Sequence, residues 1–193
     1  MNSNSPFKYM LDIYKKGFRQ QHEATCGPAS IILSATGLGL EKKEESEWID
    51  KRFKRWLPVH EFLDRGMALH ELLFISELVY AGKISLTLYR SYEENYAIFI
   101  DEIKNAFQTR NAVLVVNFLQ ADFIKGLSSD SKGNPHYSPL VAWKTKENEV
   151  LLCDVDQAIQ EPYWVKIDAI FQSMAKYNPA YNLPRGWLVL KKR

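Results

Sequence analysis

Helical periodicity dominates the first half of the chain and strand-like patterning the second. The apolar run Ile31-Ile32-Leu33 continues from Cys26 towards Thr36-Gly37-Leu38-Gly39, where glycine past the last turn is a common stop, so a helix is expected from Cys26 to this point. Residues 41–56 set Trp48, Ile49, Phe53 and Trp56 at helical spacing among lysines and glutamates, which predicts an exposed amphipathic helix ended by Pro58. Residues 68–81 carry a mostly apolar helical pattern closed by Gly82, and residues 84–89 alternate with period two, as a half-buried strand does. A further helix is expected over 93–109, with Tyr96, Phe99, Ile100, Ile103 and Phe107 inward.

From Ala112 to Phe118 the near-continuous β-prone run predicts a central strand, and a polar loop follows over 121–135. Strands are expected over 137–143 and 149–155, joined by the turn-like 144–148, then a helix over 167–177 and a closing strand over 186–190. The segregation of helices and strands reads as an α+β fold. A single domain spanning 1–193 is expected, with residues 1–19 as an aromatic and basic entry segment packed on or flanking it, where Gly17 interrupts any long helix.

Composition narrows the functional classes. With 25 basic and 23 acidic residues the net charge is +2, so nothing in the balance suggests a nucleic-acid-binding surface and no nucleic-acid partner is expected. No run of about 18 apolar residues exists and the first ten residues hold no leader-like core, so no membrane association and a cytoplasmic location are expected, leaderless export aside. The two cysteines, Cys26 and Cys153, lack a disulfide framework and read as reduced thiols. Four histidines and two distant cysteines match no zinc spacing, so neither a metal site nor a cofactor is expected.

The candidate chemistry centres on residues 20–30. Gly27 and Pro28 place Cys26 where a loop becomes a helix, at the positive end that favours a thiolate nucleophile. Gln20, six positions earlier, supplies an amide suited to an oxyanion. A nucleophilic cysteine needs a base, and the base needs an orienting group. His136, at the junction of the polar loop and a strand, reads as an exposed rim base; Asp154, embedded in an apolar run 18 residues on, reads as its partner. Alternation turns Cys153 away into the core, and His22 is the minor alternative base.

Residues 20–30 resemble the active-site opening of papain-like cysteine enzymes and of bacteriocin-processing peptidases. The segments 136–140, 151–155, 162–166 and 185–188, with 66–72, resemble the phytochelatin synthase family more closely, in its short prokaryotic form. That resemblance implies a papain-like fold with Cys26 as nucleophile, His136 as base, Asp154 as orienter and Gln20 as oxyanion donor. It implies a γ-glutamylcysteinyl thioester formed from glutathione with loss of glycine. A small thiol peptide is the implied partner, heavy-metal thiolate complexes are admissible substrates, and a homodimer is compatible with it.

Substrate contacts are implied at Arg185, Gln120, Gln157 and Ser138. Gln120 and Gln157 stand where the family commonly has basic residues, and Pro135 replaces its usual glycine. Glutamines there would hold substrate carboxylates weakly, so hydrolysis is expected over polymerisation. The alternatives are a cysteine peptidase or amidase acting on another peptide, and a non-catalytic peptide binder.

Overall fold

A computed structural model describes residues 6–125, 134–179 and 181–193. Most of the expected polar loop, residues 126–133, therefore lies outside the described residues. Six strands form an antiparallel sheet in the order β1-β8-β2-β3-β4-β5: β1 Ile84–Arg90, β2 Ala112–Leu119, β3 Pro135–Lys144, β4 Glu149–Leu152, β5 Tyr163–Lys166 and β8 Gly186–Lys192. The two-residue strands β6 (Tyr177–Asn178) and β7 (Leu183–Pro184) pair beside it.

The continuous apolar run of β2 follows from its position. Val113 and Val115 enter a core shared with α1 (Pro6–Lys15), α2 (Cys26–Gly37) and α4 (Leu69–Val79). Ala112, Leu114, Val116 and Phe118 enter a second core on the other face, beneath α5 (Tyr96–Thr109) and α6 (Ile167–Ala175). A strand covered on both faces has no polar side to alternate with. The α+β class stands, although the helices cover both faces of the sheet and do not sit apart from it.

Two expectations change. The single helix over 41–56 is two 3-10 helices, Glu45–Ile49 and Lys51–Arg55, interrupted by an extended Asp50 whose carboxylate takes the Arg52 N–H at 2.7 Å. Such a local bond competes with helix continuation. Burial also overrides the amphipathic pattern: Trp48 is fully buried and donates its indole N–H to Ser76 Oγ at 2.9 Å, whereas Trp56 lies exposed against Phe74. The short helix α3 (Phe62–Arg65) and the strand β5 were not anticipated. The entry segment folds as α1, with Phe7, Met10 and Tyr14 buried and Gly17 at φ +94° just beyond it. Among the described residues no helix is long and apolar enough to cross a membrane.

Gly186 is fixed by the β1–β8 pairing. It faces Arg90 in the register, and a Cβ there would lie 2.0 Å from the Tyr89 carbonyl oxygen, a backbone atom that cannot swing aside. Gly186→Ala is expected to lower unfolding free energy by at least about 1–3 kcal/mol, the range for an overpacked site, as read by urea denaturation.

Candidate active site

Cys26 opens α2 and is almost fully buried. Thr25 does not cap the helix; its hydroxyl turns back to the His22 carbonyl at 2.7 Å and accepts the His22 N–H at 3.0 Å. Pro28 has no N–H, so the first-turn donors beside the sulfur belong to Cys26 and Gly27, uncapped by a side chain. The helix is seated on β3 by Ser30, whose hydroxyl donates to the Tyr137 carbonyl at 2.9 Å. That bond sets α2 in register with the strand that carries His136.

His136 is the second residue of β3 and is buried, not on an exposed rim. Asn117 on β2 donates to its carbonyl at 3.1 Å, and the Phe118 ring meets its imidazole edge to face. Nε2 lies 2.7 Å from Asp154 Oδ1. The oxygen stands off the N–H line, so the contact is an ion pair and not an aligned hydrogen bond. The Cys26 sulfur acts on the same imidazole and favours its charged form. One ring therefore meets a sulfur and a carboxylate, which is the order in which a base is oriented for a nucleophile.

Asp154 lies two residues beyond β4, not within a strand, and is fully buried. Its Oδ1 also accepts the Asp156 N–H at 3.1 Å, while Oδ2 accepts from Gln120 Nε2 at 3.0 Å and the Tyr163 hydroxyl at 2.7 Å. Burial would push this carboxyl up, but the His136 charge and these hydrogen bonds outweigh it and hold it at about 2. Burial likewise pushes the His136 imidazole down, and the Asp154 carboxylate, with the Cys26 sulfur beside the ring, overcomes that, leaving it well above the ordinary histidine range. Cys153 faces the core, where burial pushes its thiol up to about 12, as alternation anticipated. His22 is exposed, its Nδ1 accepting the Ala24 N–H.

Gln20 is buried and its backbone N–H donates to the Val155 carbonyl at 2.8 Å, tying it beside the Asp154 segment. Its Nε2 donates to the Glu23 carbonyl at 3.0 Å, which fixes which end of the amide carries the nitrogen and leaves its second N–H uncommitted. The glutamines assigned to substrate are otherwise engaged. Gln120 holds Asp154, and Gln157 Nε2 donates to the Gln20 carbonyl at 2.8 Å, so both position the site from within the protein. Ser138 is fully buried on β3.

Arg185 is 2% exposed, with Nη1 on the Lys176 and Tyr177 carbonyls at 2.8 and 3.1 Å. The β1–β8 register sets Arg90 opposite Gly186, next to it, and Arg90 Nη1 donates to the Pro184 carbonyl at 3.0 Å. Burial pushes both guanidiniums below their usual range, and both act on the Tyr137 hydroxyl, which also feels Cys26. Among the described residues no carboxylate forms an ion pair with either. Sequence reading missed Arg90 because only the strand register reveals its neighbour; it missed Tyr163 because β5 was not anticipated.

A family model described as phytochelatin synthase matches residues 3–187. The chain is 22% identical over 184 residues to glutathione gamma-glutamylcysteinyltransferase 3 of Lotus japonicus, a match covering 90% of this chain and 35% of that protein. With glutathione gamma-glutamylcysteinyltransferase 1 of Triticum aestivum it shares 20% identity over 179 residues, covering 90% and 34%. A shorter match, 30% over 59 residues, relates 31% of this chain to 14% of the glutathione gamma-glutamylcysteinyltransferase of Schizosaccharomyces pombe. The chain spans about a third of the length of the two plant relatives.

The pair carries a pH signature. The depressed Asp154 contributes stability that is present above the ordinary carboxylate range and is lost as pH falls through about 2; the raised His136 contributes stability that is full below the ordinary histidine range and is lost as pH rises through its folded value. Asp154→Asn should therefore destabilise most between about pH 4 and 6.5, by roughly 3 kcal/mol as for a broken buried pair. The gap to the parent protein, followed by urea unfolding, is expected to narrow on acidification below pH 4.

Proposed function

The chain belongs to the phytochelatin synthase family, and we propose that it is a cysteine acyltransferase or hydrolase that removes glycine from glutathione or a related γ-glutamyl peptide. The observation that carries this reading is the buried imidazole that pairs with the Asp154 carboxylate at 2.7 Å and is acted on by the Cys26 sulfur at the start of α2. Cys26 Sγ gives its proton to His136 and attacks the carbonyl carbon of the Cys-Gly peptide bond, forming C–S as the carbonyl electrons move to oxygen. The uncommitted Gln20 amide N–H and the Cys26 N–H at the uncapped helix start suit that oxyanion. His136 gives its proton to the departing glycine nitrogen as the C–N bond breaks, leaving a γ-glutamylcysteinyl thioester. Water, or the amine of a second peptide, then attacks the thioester carbonyl with His136 taking its proton, and the C–S bond breaks to return the Cys26 sulfur and free the γ-glutamylcysteinyl product.

The arrangement fits one papain-like catalytic domain. The buried Arg185 and the half-buried Arg90 beside it are the groups suited to hold a substrate carboxylate, because a guanidinium drawn out of water without a carboxylate partner is otherwise unfavourable. Hydrolysis is favoured over polymerisation. The amides of Gln120 and Gln157 are turned onto protein groups, so neither adds a cation for the second glutathione that polymerisation requires.

Incubation with glutathione and cadmium or zinc should release glycine with little longer γ-glutamylcysteine oligomer, and Cys26→Ala should release none while keeping the parent's fold. Glycine release by Cys26→Ala would remove the nucleophile; efficient oligomer formation would reverse the preference for water; release from other peptides alone would make the protein a peptidase. Gln20→Ala should lower kcat on the order of 10²-fold, as loss of an oxyanion donor does. Arg90→Met should raise KM for glutathione roughly tenfold with kcat little changed, the loss of a charge-assisted contact formed alike in ground and transition states.

A further inference from the structure

Asp154 is held from four directions. His136 on β3 and the Asp156 N–H occupy Oδ1; Gln120, in the 3-10 turn after β2, and Tyr163, the first residue of β5, occupy Oδ2. A carboxylate bound through one oxygen alone can rotate about its last torsion and leave its partner. Donors on the second oxygen remove that freedom.

The register explains why Tyr163 reaches. It pairs with Leu152 at the end of β4, and Asp154 follows Leu152 by two residues, so the tyrosine lies beside the carboxylate across the strand end. Burial and the adjacent Asp154 push the phenol above its usual range, which keeps the hydroxyl protonated and therefore a donor. Gln120, 1% exposed, donates without bringing charge.

We propose that Tyr163 is a positioning residue of the active site: with Gln120 it clamps Oδ2 of Asp154, so that Oδ1 stays on His136 and the imidazole stays on Cys26. The proposal rests on the cysteine, histidine and aspartate reading above, and names a residue that acts through Asp154 without touching substrate.

Among the described residues, the titratable groups beside the pair include Cys26 on α2, Tyr14 on α1, Cys153 and Asp156 on either side of Asp154 in the chain, and Tyr163 itself. Of these, only Tyr163 donates a side-chain hydrogen bond to Asp154 among the described residues. Tyr163→Phe removes that donor and keeps the ring.

The test follows the His136 imidazole by NMR titration and the Cys26 alkylation rate by iodoacetamide against pH, neither of which requires a known substrate. In Tyr163→Phe the His136 titration should move towards the ordinary histidine range by roughly one unit, and alkylation at neutral pH should slow about tenfold, the scale of a hydrogen bond to a charged group. Gln120→Met should move both readouts in the same direction, and it stands as the second variant should Tyr163→Phe fail to fold. A folded Tyr163→Phe with the parent's His136 titration and alkylation profile overturns the proposal and leaves the tyrosine as packing. If Cys26 in the parent protein reacts no faster than an ordinary thiol, the proposed function falls, while the His136 titration still judges the clamp.

Discussion

The buried ion pair between Asp154 and His136 is the constraint on which the rest of the site depends. Two groups with almost no access to water can stay charged only if each is the other's partner and the remaining valences are filled. Asp154 meets that condition with four donors drawn from β3, β5, the turn after β2 and its own following loop. The sheet order makes this possible, because β2, β3, β4 and β5 are consecutive neighbours and their ends converge where Asp154 leaves β4. A shift of one residue in the β3 register would turn the His136 side chain to the other face.

The same loop that bears Asp156 and Gln157 is anchored from the N-terminal segment. Arg19 stacks on Tyr14 at 3.7 Å and donates from Nε to the Ile159 carbonyl at 2.8 Å, with Nη2 on the Gln160 carbonyl at 2.6 Å. Gln157 then holds the carbonyl of Gln20, one residue beyond Arg19. The entry helix therefore belongs to the active-site support, since it steadies both the aspartate loop and the segment leading to Cys26. Glu45 completes that support by taking the Gln21 N–H on both carboxylate oxygens at 3.0 Å, which is why it is buried in a stretch whose pattern looked solvent-facing.

What the sequence made legible was local. The glycine and proline after Cys26 announce a helix start, the run 112–118 announces a strand buried on both faces, and Asp154 among apolar residues announces a paired carboxylate. The positions that eluded it depend on chain crossings. Nothing near Gln120 tells that its amide meets Asp154, 34 residues away, and nothing near Arg90 tells that it borders Arg185. Residues 41–56 misled for a related reason. Their helical spacing is real, but the Asp50 side chain and the burial of Glu45 and Trp48 impose a break that periodicity does not encode.

The choice of glutamine at 120 has a physical consequence for the pair it supports. A guanidinium at that place would bind Asp154 as an ion pair and compete with His136 for the same negative charge, weakening what holds the imidazole charged. A neutral amide fills the acceptor without that competition. The tyrosine acts in the same sense, since its protonated phenol adds a hydrogen bond and no charge. The negative charge of Asp154 is thus left to face the cation that forms beside it on His136, and the amide that secures the pair brings no positive charge to its surroundings. On the proposed function, the neutrality of Gln120 would be one cause of two effects, a secured Asp154–His136 pair and a weak hold on a second anionic peptide.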